Sequence, residues 1–312
     1  MTDAQVKPNA PLTPDASDSP HSALASTITR RRPGLLRTFA RQHKLGLVAA
    51  AVFAIFVVLA IAAPLVAPSD PVDMSPINRL QSPAKAGYLG TDVFGRDVLS
   101  RILYGLRISI GIGVVSVLVA ATIGTMMGLI AGYVGKWQEY LIMRLTDVLF
   151  SFPSILLAIL IVSIWGAGLT SIVLAIALVQ TPIFTRIVRG SVLAIKHAEY
   201  IQASITAGAS TPRILARHLL PNVMAPILVQ LTLAISGAIV LEAALSFLGL
   251  GAVPPTPSLG SMLSENRNYM ELAPWTVLYP GLALAMLVLS INILGDAVRD
   301  LLDPRLRSTM NG

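Results

Sequence analysis

The chain has 312 residues, of which 54% are hydrophobic and only 12% charged; its net charge is +7 and it has no cysteine. A soluble domain carries about 25% charged residues, so an ordinary soluble globule is excluded, and so is overall disorder, which needs low hydrophobicity. Disulfides, Cys-ligated zinc, Fe–S clusters and thiol catalysis are excluded by the missing cysteine.

Residues 1–40 begin with a Pro-, Ser-, Thr- and Asp-rich stretch without apolar period, and are expected to be a disordered cytoplasmic tail. A membrane domain is expected over 41–308. Its spans are located by runs without Asp, Glu, Lys or Arg, since a spanning helix needs about 20 mostly apolar residues. The first run lies between Lys44 and Asp70 and predicts a span over 46–67. It starts too far into the chain and is too long to be a signal peptide. The run between Arg107 and Lys136 predicts a span over 108–132. The run between Asp147 and Arg186 is too long for one helix, and Gly166-Ala167-Gly168 reads as a turn within it. It is divided into two short spans, 154–167 and 170–185. The last two runs, from Arg217 to Glu242 and from Glu271 to Asp296, predict spans over 223–248 and 274–294. The expected fold is therefore an all-α membrane protein with six transmembrane helices.

Between the spans, residues 68–107 form an external segment, extended around Pro68, Pro71, Pro76 and Pro83 and helical from Arg96. Val98, Leu99, Ile102, Leu103 and Leu106 fall on one stripe there. Residues 186–221 form a cytoplasmic segment too long for a mere connection, and such segments are usually functional. Of the 23 Lys and Arg, 17 fall on the side holding this segment and both termini, and six on the other. By the positive-inside rule both termini are expected to be cytoplasmic. The excess positive charge is thus explained by topology, and no nucleic-acid partner is expected; the lipid bilayer is.

Resident chemistry is sparse. None of the four histidines lies in a span, and no GxxxxGK[ST] phosphate loop occurs. No metal site and no catalytic residue is expected, nor is ATP bound by this chain. Glu242 is the one acidic group within the spans, which is thin support for an ion-coupled transporter.

The segment Gln202-Ala203-Ser204, three residues, Gly208, nine residues, then His218-Leu219-Leu220-Pro221 resembles the EAA loop of type I ABC importer permeases. That pattern runs Glu-Ala-Ala, three residues, Gly, nine residues, Ile-x-Leu-Pro. The spacing matches throughout, and the identities depart at Gln202, Ser204 and His218. Leu89-Gly90-Thr91-Asp92 with Phe94-Gly95-Arg96-Asp97 looks like the stretch before the second helix in dipeptide/oligopeptide permeases. Glu242 to Gly251 and Gly295 to Arg307 are similar to further segments of the second, C-type subunit of that pair. The resemblance covers about residues 36 to 308.

It implies a permease subunit of an ATP-driven importer for di- or oligopeptides in a bacterial cytoplasmic membrane; nickel and glutathione importers share the family. It also implies a homologous permease as heterodimer partner, two ATP-binding subunits that hold ATP and Mg, and an external solute-binding protein. Residues 186–221 become the coupling loop, with Glu199, Tyr200, Gln202, Ala203, Ser204, Gly208, Ala209 and Arg213 as its ATPase-facing set. Glu242 either lines the solute path or is paired near the outer interface. Arg96, Asp97 and Arg101 either contact the binding protein or form internal ion pairs. The rival class is a stand-alone secondary transporter or channel, for which the long loop would be incidental.

Overall fold

A computed structural model describes residues 44–302; the expected tail over 1–40 and the ends of the 41–308 domain lie outside them. The described residues are helical, without strands. Helix α1 (Lys44–Ile61) is followed by a single turn, α2 (Ala63–Val66). Then come α3 (Val98–Val134), α4 (Lys136–Phe150), α5 (Ser154–Trp165) and α6 (Leu169–Ile195). Two short helices, α7 (Glu199–Thr206) and α8 (Thr211–Ile214), precede α9 (Leu220–Phe247), and α10 (Leu259–Asn266) precedes α11 (Trp275–Leu302).

Five helices are long and apolar enough to cross a membrane, six if α4 and α5 count as one span broken by a 93° bend. Pro153 explains the break. It has no N–H to donate and disfavours helical backbone at Phe152 before it. The span expected over 154–167 is thus the second half of a larger unit. Two other bounds shift. The stripe from Val98 is continuous with the second span, giving one helix of 37 residues. The fourth helix runs past Arg186 to Ile195, so residues 186–195 belong to the bundle and the connection shrinks to 196–210. The charges are tolerated because α4 supplies partners. Arg186 Nη2 lies 2.7 Å from Asp147 Oδ1, and Arg189 pairs with Glu139.

The most extensive helix pair is α3 against α6. Gly124, Gly128 and Gly132 recur at i+4 on α3 and form its seam. A Cβ at these positions would sit 2.6 Å from Phe184 Cβ, 2.7 Å from Val188 Cβ and 2.7 Å from Val192 Cβ, respectively. In lipid, helices gain little from the hydrophobic effect and associate through such close backbone approach. Hydroxyls along the seam are satisfied locally: Thr181 donates to the Ala177 carbonyl and Thr185 to that of Thr181. Outward faces stay apolar, as with the exposed Leu45, Val48, Ile55 and Val58 of α1.

Candidate functional site

The segment between α6 and α9 is built as a rigid elbow. Helix α7 ends in a paired αL turn: Gly208 has φ 78°, its N–H donates to Ile205 O at 2.9 Å, and the Ala209 N–H donates to Ser204 O at 3.0 Å. These two bonds satisfy carbonyls that the helix end would leave open, and the left-handed conformation explains why glycine stands there. Ser210 flanks α8 in extended conformation, with Pro212 in the first turn, where a missing N–H costs nothing. Helix α8 is no separate short helix. It runs through one turn of π-helix, Leu215–Leu219, directly into α9. Such turns insert one residue into the ladder and recur at functional sites.

The elbow has an inward and an outward face. Ile201, Ile214 and Leu219 are fully buried and join the main core cluster with Val188 and Val192 of α6. Glu199, Tyr200, Gln202, Ala203, Gly208 and Arg213 are exposed, and Ser204 and Ala209 are half-buried. Those eight residues are the set expected from the sequence, and none of them is buried. Ser204 Oγ lies 3.4 Å from His218 Nε2, so two of the three departures from the EAA pattern meet each other. Beside them is a cavity of about 300 Å³ lined by Ala207, Gly208, Arg213 and Arg217. A charged or polar partner surface can enter it without displacing any core side chain.

The other expected residues fall elsewhere, with different surroundings. Arg96 and Arg101 are 2% and 0% exposed. Arg96 Nε lies 2.6 Å from Asp92 Oδ2, and its Nη2 pairs with Glu265. Arg101 Nη2 lies 3.1 Å from the same Glu265 carboxylate. Asp97 caps α3, accepting from the Ser100 N–H at 2.7 Å. Of the two readings the sequence leaves open for these residues, internal ion pairing is the one seen for both arginines. A guanidinium in a membrane-adjacent fold is buried only when paired, and two carboxylates here provide the pairing. The cluster ties the segment before α3 to α10.

For Glu242, too, the structure shows a paired carboxylate. It is fully buried and accepts from Ser109 Oγ of α3 and Ser246 Oγ of α9, both at 2.7 Å. The enclosure is tight. A Cβ at Gly260 would sit 2.2 Å from the Ala243 carbonyl, so α10 lies directly against this part of α9. The carboxylate therefore joins α3 to α9. Glu242→Gln, which can accept from one serine and donate to the other, is expected to keep thermal stability within about 1 kcal/mol. Glu242→Leu strands two buried hydroxyls and should cost about 2–4 kcal/mol. Thermal melting of both variants checks this, and an equal effect of the two would contradict the hydrogen-bonded role.

A cavity the sequence does not announce lies between α4, α5, α6 and α9. It measures about 420 Å³ and is lined by Phe150, Phe152, Val179, Gln180, Gly237 and Val240, among others. The broken α4–α5 junction forms one wall. Gln180 brings an amide into a mostly apolar lining that also holds Ser154, and its Nε2 reaches Ala234 O only at 3.4 Å. Among the described residues no group of three or more His, Asp or Glu could hold a metal.

Comparison with known proteins follows the same lines. Residues 124–308 match the family described as binding-protein-dependent transport system inner membrane component. Residues 37–83 match the N-terminal TM domain of oligopeptide transport permease C. The dipeptide transport system permease protein DppC of Alkalihalophilus pseudofirmus is 43% identical over 95% of this chain and 97% of its own length. The glutathione transport system permease protein GsiD of Pectobacterium atrosepticum is 45% identical over 87% and 90%. The di/tripeptide permease DppC of Pseudomonas aeruginosa is 42% identical over 92% and 98%. Among solved structures, the MetNI methionine ABC transporter in an inward-facing conformation superposes with a TM-score of 0.53 at 21% identity. That match covers 65% of this chain and 96% of the other, and it supports the fold.

Proposed function

The chain belongs to the family of binding-protein-dependent transport inner membrane components, and from that membership we propose that it is the second permease subunit of an importer for short peptides. The solute class embraces the dipeptides, tripeptides and glutathione named for its relatives. Its partners are a homologous permease, two ATP-binding subunits and an external solute-binding protein. ATP and Mg are held by the ATP-binding subunits, and this chain carries no catalytic step. Both termini and the elbow over 196–210 face the cytoplasm, following the lysine and arginine excess on that side.

The observation that carries this reading is the elbow itself. Its outward face is free, while Ile201, Ile214 and Leu219 fix its inward face to the bundle. A push on α7 by a closing ATPase pair is therefore delivered through α8 and the π turn to α9, with no loose joint between them. Helix α9 walls the Gln180 cavity through Gly237 and Val240, so moving it changes the width of that space. The cavity forms this chain's part of the solute path, where the Gln180 amide can bond a peptide backbone irrespective of side chain. Packed elements of this kind shift between discrete arrangements rather than deform continuously.

Gly208→Val is the test. No atom lies within 4 Å of a Cβ there, so the bundle is undisturbed, but φ 78° is strained for valine. The elbow should then adopt another shape. In reconstituted importer, solute-stimulated ATP hydrolysis is expected to fall at least about tenfold, the counterpart of some 1.4 kcal/mol of lost coupling, with the permease still inserted. Normal stimulation and normal retention of the ATP-binding subunits would remove the elbow from the mechanism.

A further inference from the structure

Helix α4 carries a feature the importer reading does not use. It crosses α6 obliquely. Glu139 and Asp147, eight residues and about 12 Å apart along α4, pair with Arg189 and Arg186, which are only three residues and about 4.5 Å apart along α6. The entry to α4 is forced: Gly135 and Lys136 both have positive φ, at 67° and 55°, and turn the chain out of α3. The start of α4 is level with the end of α6, since Lys196 Nζ donates to the Gly132 carbonyl at 3.5 Å. At its other end Phe150 lies under Arg186, 4.0 Å from ring centroid to guanidinium carbon, so α4 starts at the rim of the bundle and enters it beside α6.

Along this helix the acidic groups are spent on α6, and two cations are not. Lys136, Tyr140 and Arg144 recur at i+4 on one face, all exposed, and border a cavity of about 340 Å³ with Met143, the Arg189–Glu139 pair and Asp147, which Arg186 neutralises. Trp137 and Tyr140 are 66% and 71% exposed, and Leu141, Leu145 and Val148 continue an apolar stripe beside them. Cations and interfacial aromatics in the first turns, with a contiguous apolar stripe running on from them, are the composition of a helix that starts at headgroup level and continues along acyl chains.

We propose that Lys136, Tyr140 and Arg144 form a binding site for the headgroup of an anionic phospholipid, whose acyl chains lie on Leu141, Leu145 and Val148. The cations and the tyrosine hydroxyl supply charge and a donor for phosphate. The apolar stripe favours a lipid over a soluble phosphate, which would leave it in water. Because α4 is joined through its ion pairs to α6 and through its bend to the Gln180 cavity, an occupied site would hold the wall of that cavity in place.

The test uses the intact importer, reconstituted in nanodiscs of phosphatidylcholine with phosphatidylglycerol, then extracted and examined by native mass spectrometry. Wild type should retain phosphatidylglycerol in preference to phosphatidylcholine. The Lys136→Gln/Arg144→Gln double variant should lose that preference about thirtyfold, as two cations at an anionic surface predict, while Lys136→Arg/Arg144→Lys keeps it. Excess inorganic phosphate should leave the bound lipid in place. The proposal is overturned if the double variant retains phosphatidylglycerol as wild type does, or if inorganic phosphate strips it. It is overturned equally if the double variant sheds an ATP-binding subunit in place of lipid, because α4 would then be a protein interface. Each outcome is independent of solute transport, so failure here leaves the importer reading standing.

Discussion

Gly128→Val is expected to cost about 3 kcal/mol or more and to disrupt the bundle. A Cβ at position 128 would sit 2.7 Å from the Thr185 carbonyl and 2.7 Å from Val188 Cβ, both within one helix that cannot move locally. Overpacking a tight core typically costs about 1–3 kcal/mol, and here the obstacle includes backbone. Helices α3 and α6 must separate along the seam, and Gly124 and Gly132 would lose their contacts with them. Gly190 is the control: no atom lies within 4 Å of a Cβ there, and alanine should gain about 1 kcal/mol of helix propensity. Thermal melting of the solubilised importer checks both. Equal midpoints for Gly128→Val and Gly190→Ala would show that the seam is not close-packed.

Asp92→Asn is expected to cost about 3–5 kcal/mol, the usual effect of removing one partner from a buried ion cluster. Asp92 is fully buried. Its Oδ1 accepts from the backbone N–H groups of Phe94 and Arg96, at 2.8 and 3.0 Å. Its Oδ2 holds Arg96 at 2.6 Å and Arg101 at 3.5 Å. Asparagine leaves two buried guanidiniums facing Glu265 alone and turns an N–H₂ toward donors. The segment from 68 to 97 should loosen first, because Arg101 Nη1 also reaches the Pro71 carbonyl at 3.4 Å. Limited proteolysis of the solubilised importer should cut there in the variant and not in wild type. Unchanged protection would show that the cluster does not hold the segment.

Much of this is legible in the sequence, and the misses have physical causes. The runs between charges locate the apolar helices because lipid admits few unpaired charges. Reading a charge as a helix end fails at Arg186, because Asp147, 39 residues away, neutralises it and the helix continues to Ile195. For Arg96 and Arg101 the sequence leaves partner contact and internal pairing open. Their second carboxylate, Glu265, is 169 and 164 residues distant, and no local spacing reveals it. Glu242 illustrates the converse. An intramembrane carboxylate points to function by default, but Ser109 and Ser246 absorb its oxygens. The Gly124–Gly128–Gly132 repeat is different: its i+4 spacing is visible in the residues and marks close helix packing without any structure. The elbow is the most legible feature. Its motif spacing places the glycine at the left-handed residue that terminates α7, where the structure has φ 78°.

The central claim, that residues 199–213 are the surface through which ATP hydrolysis moves this subunit, meets its most direct test at Ala203. The chain has no native cysteine, and Ala203 is exposed on the outward face of α7. Ala203→Cys, labelled with a photoactivatable reagent in the assembled importer, should cross-link to an ATP-binding subunit with a yield that changes when ATP is bound. A cysteine at Lys85, in the segment before α3, should give no such product. Cross-linking of the Ala203 site to lipid or water alone, with the ATP-binding subunits present and active, would contradict the account.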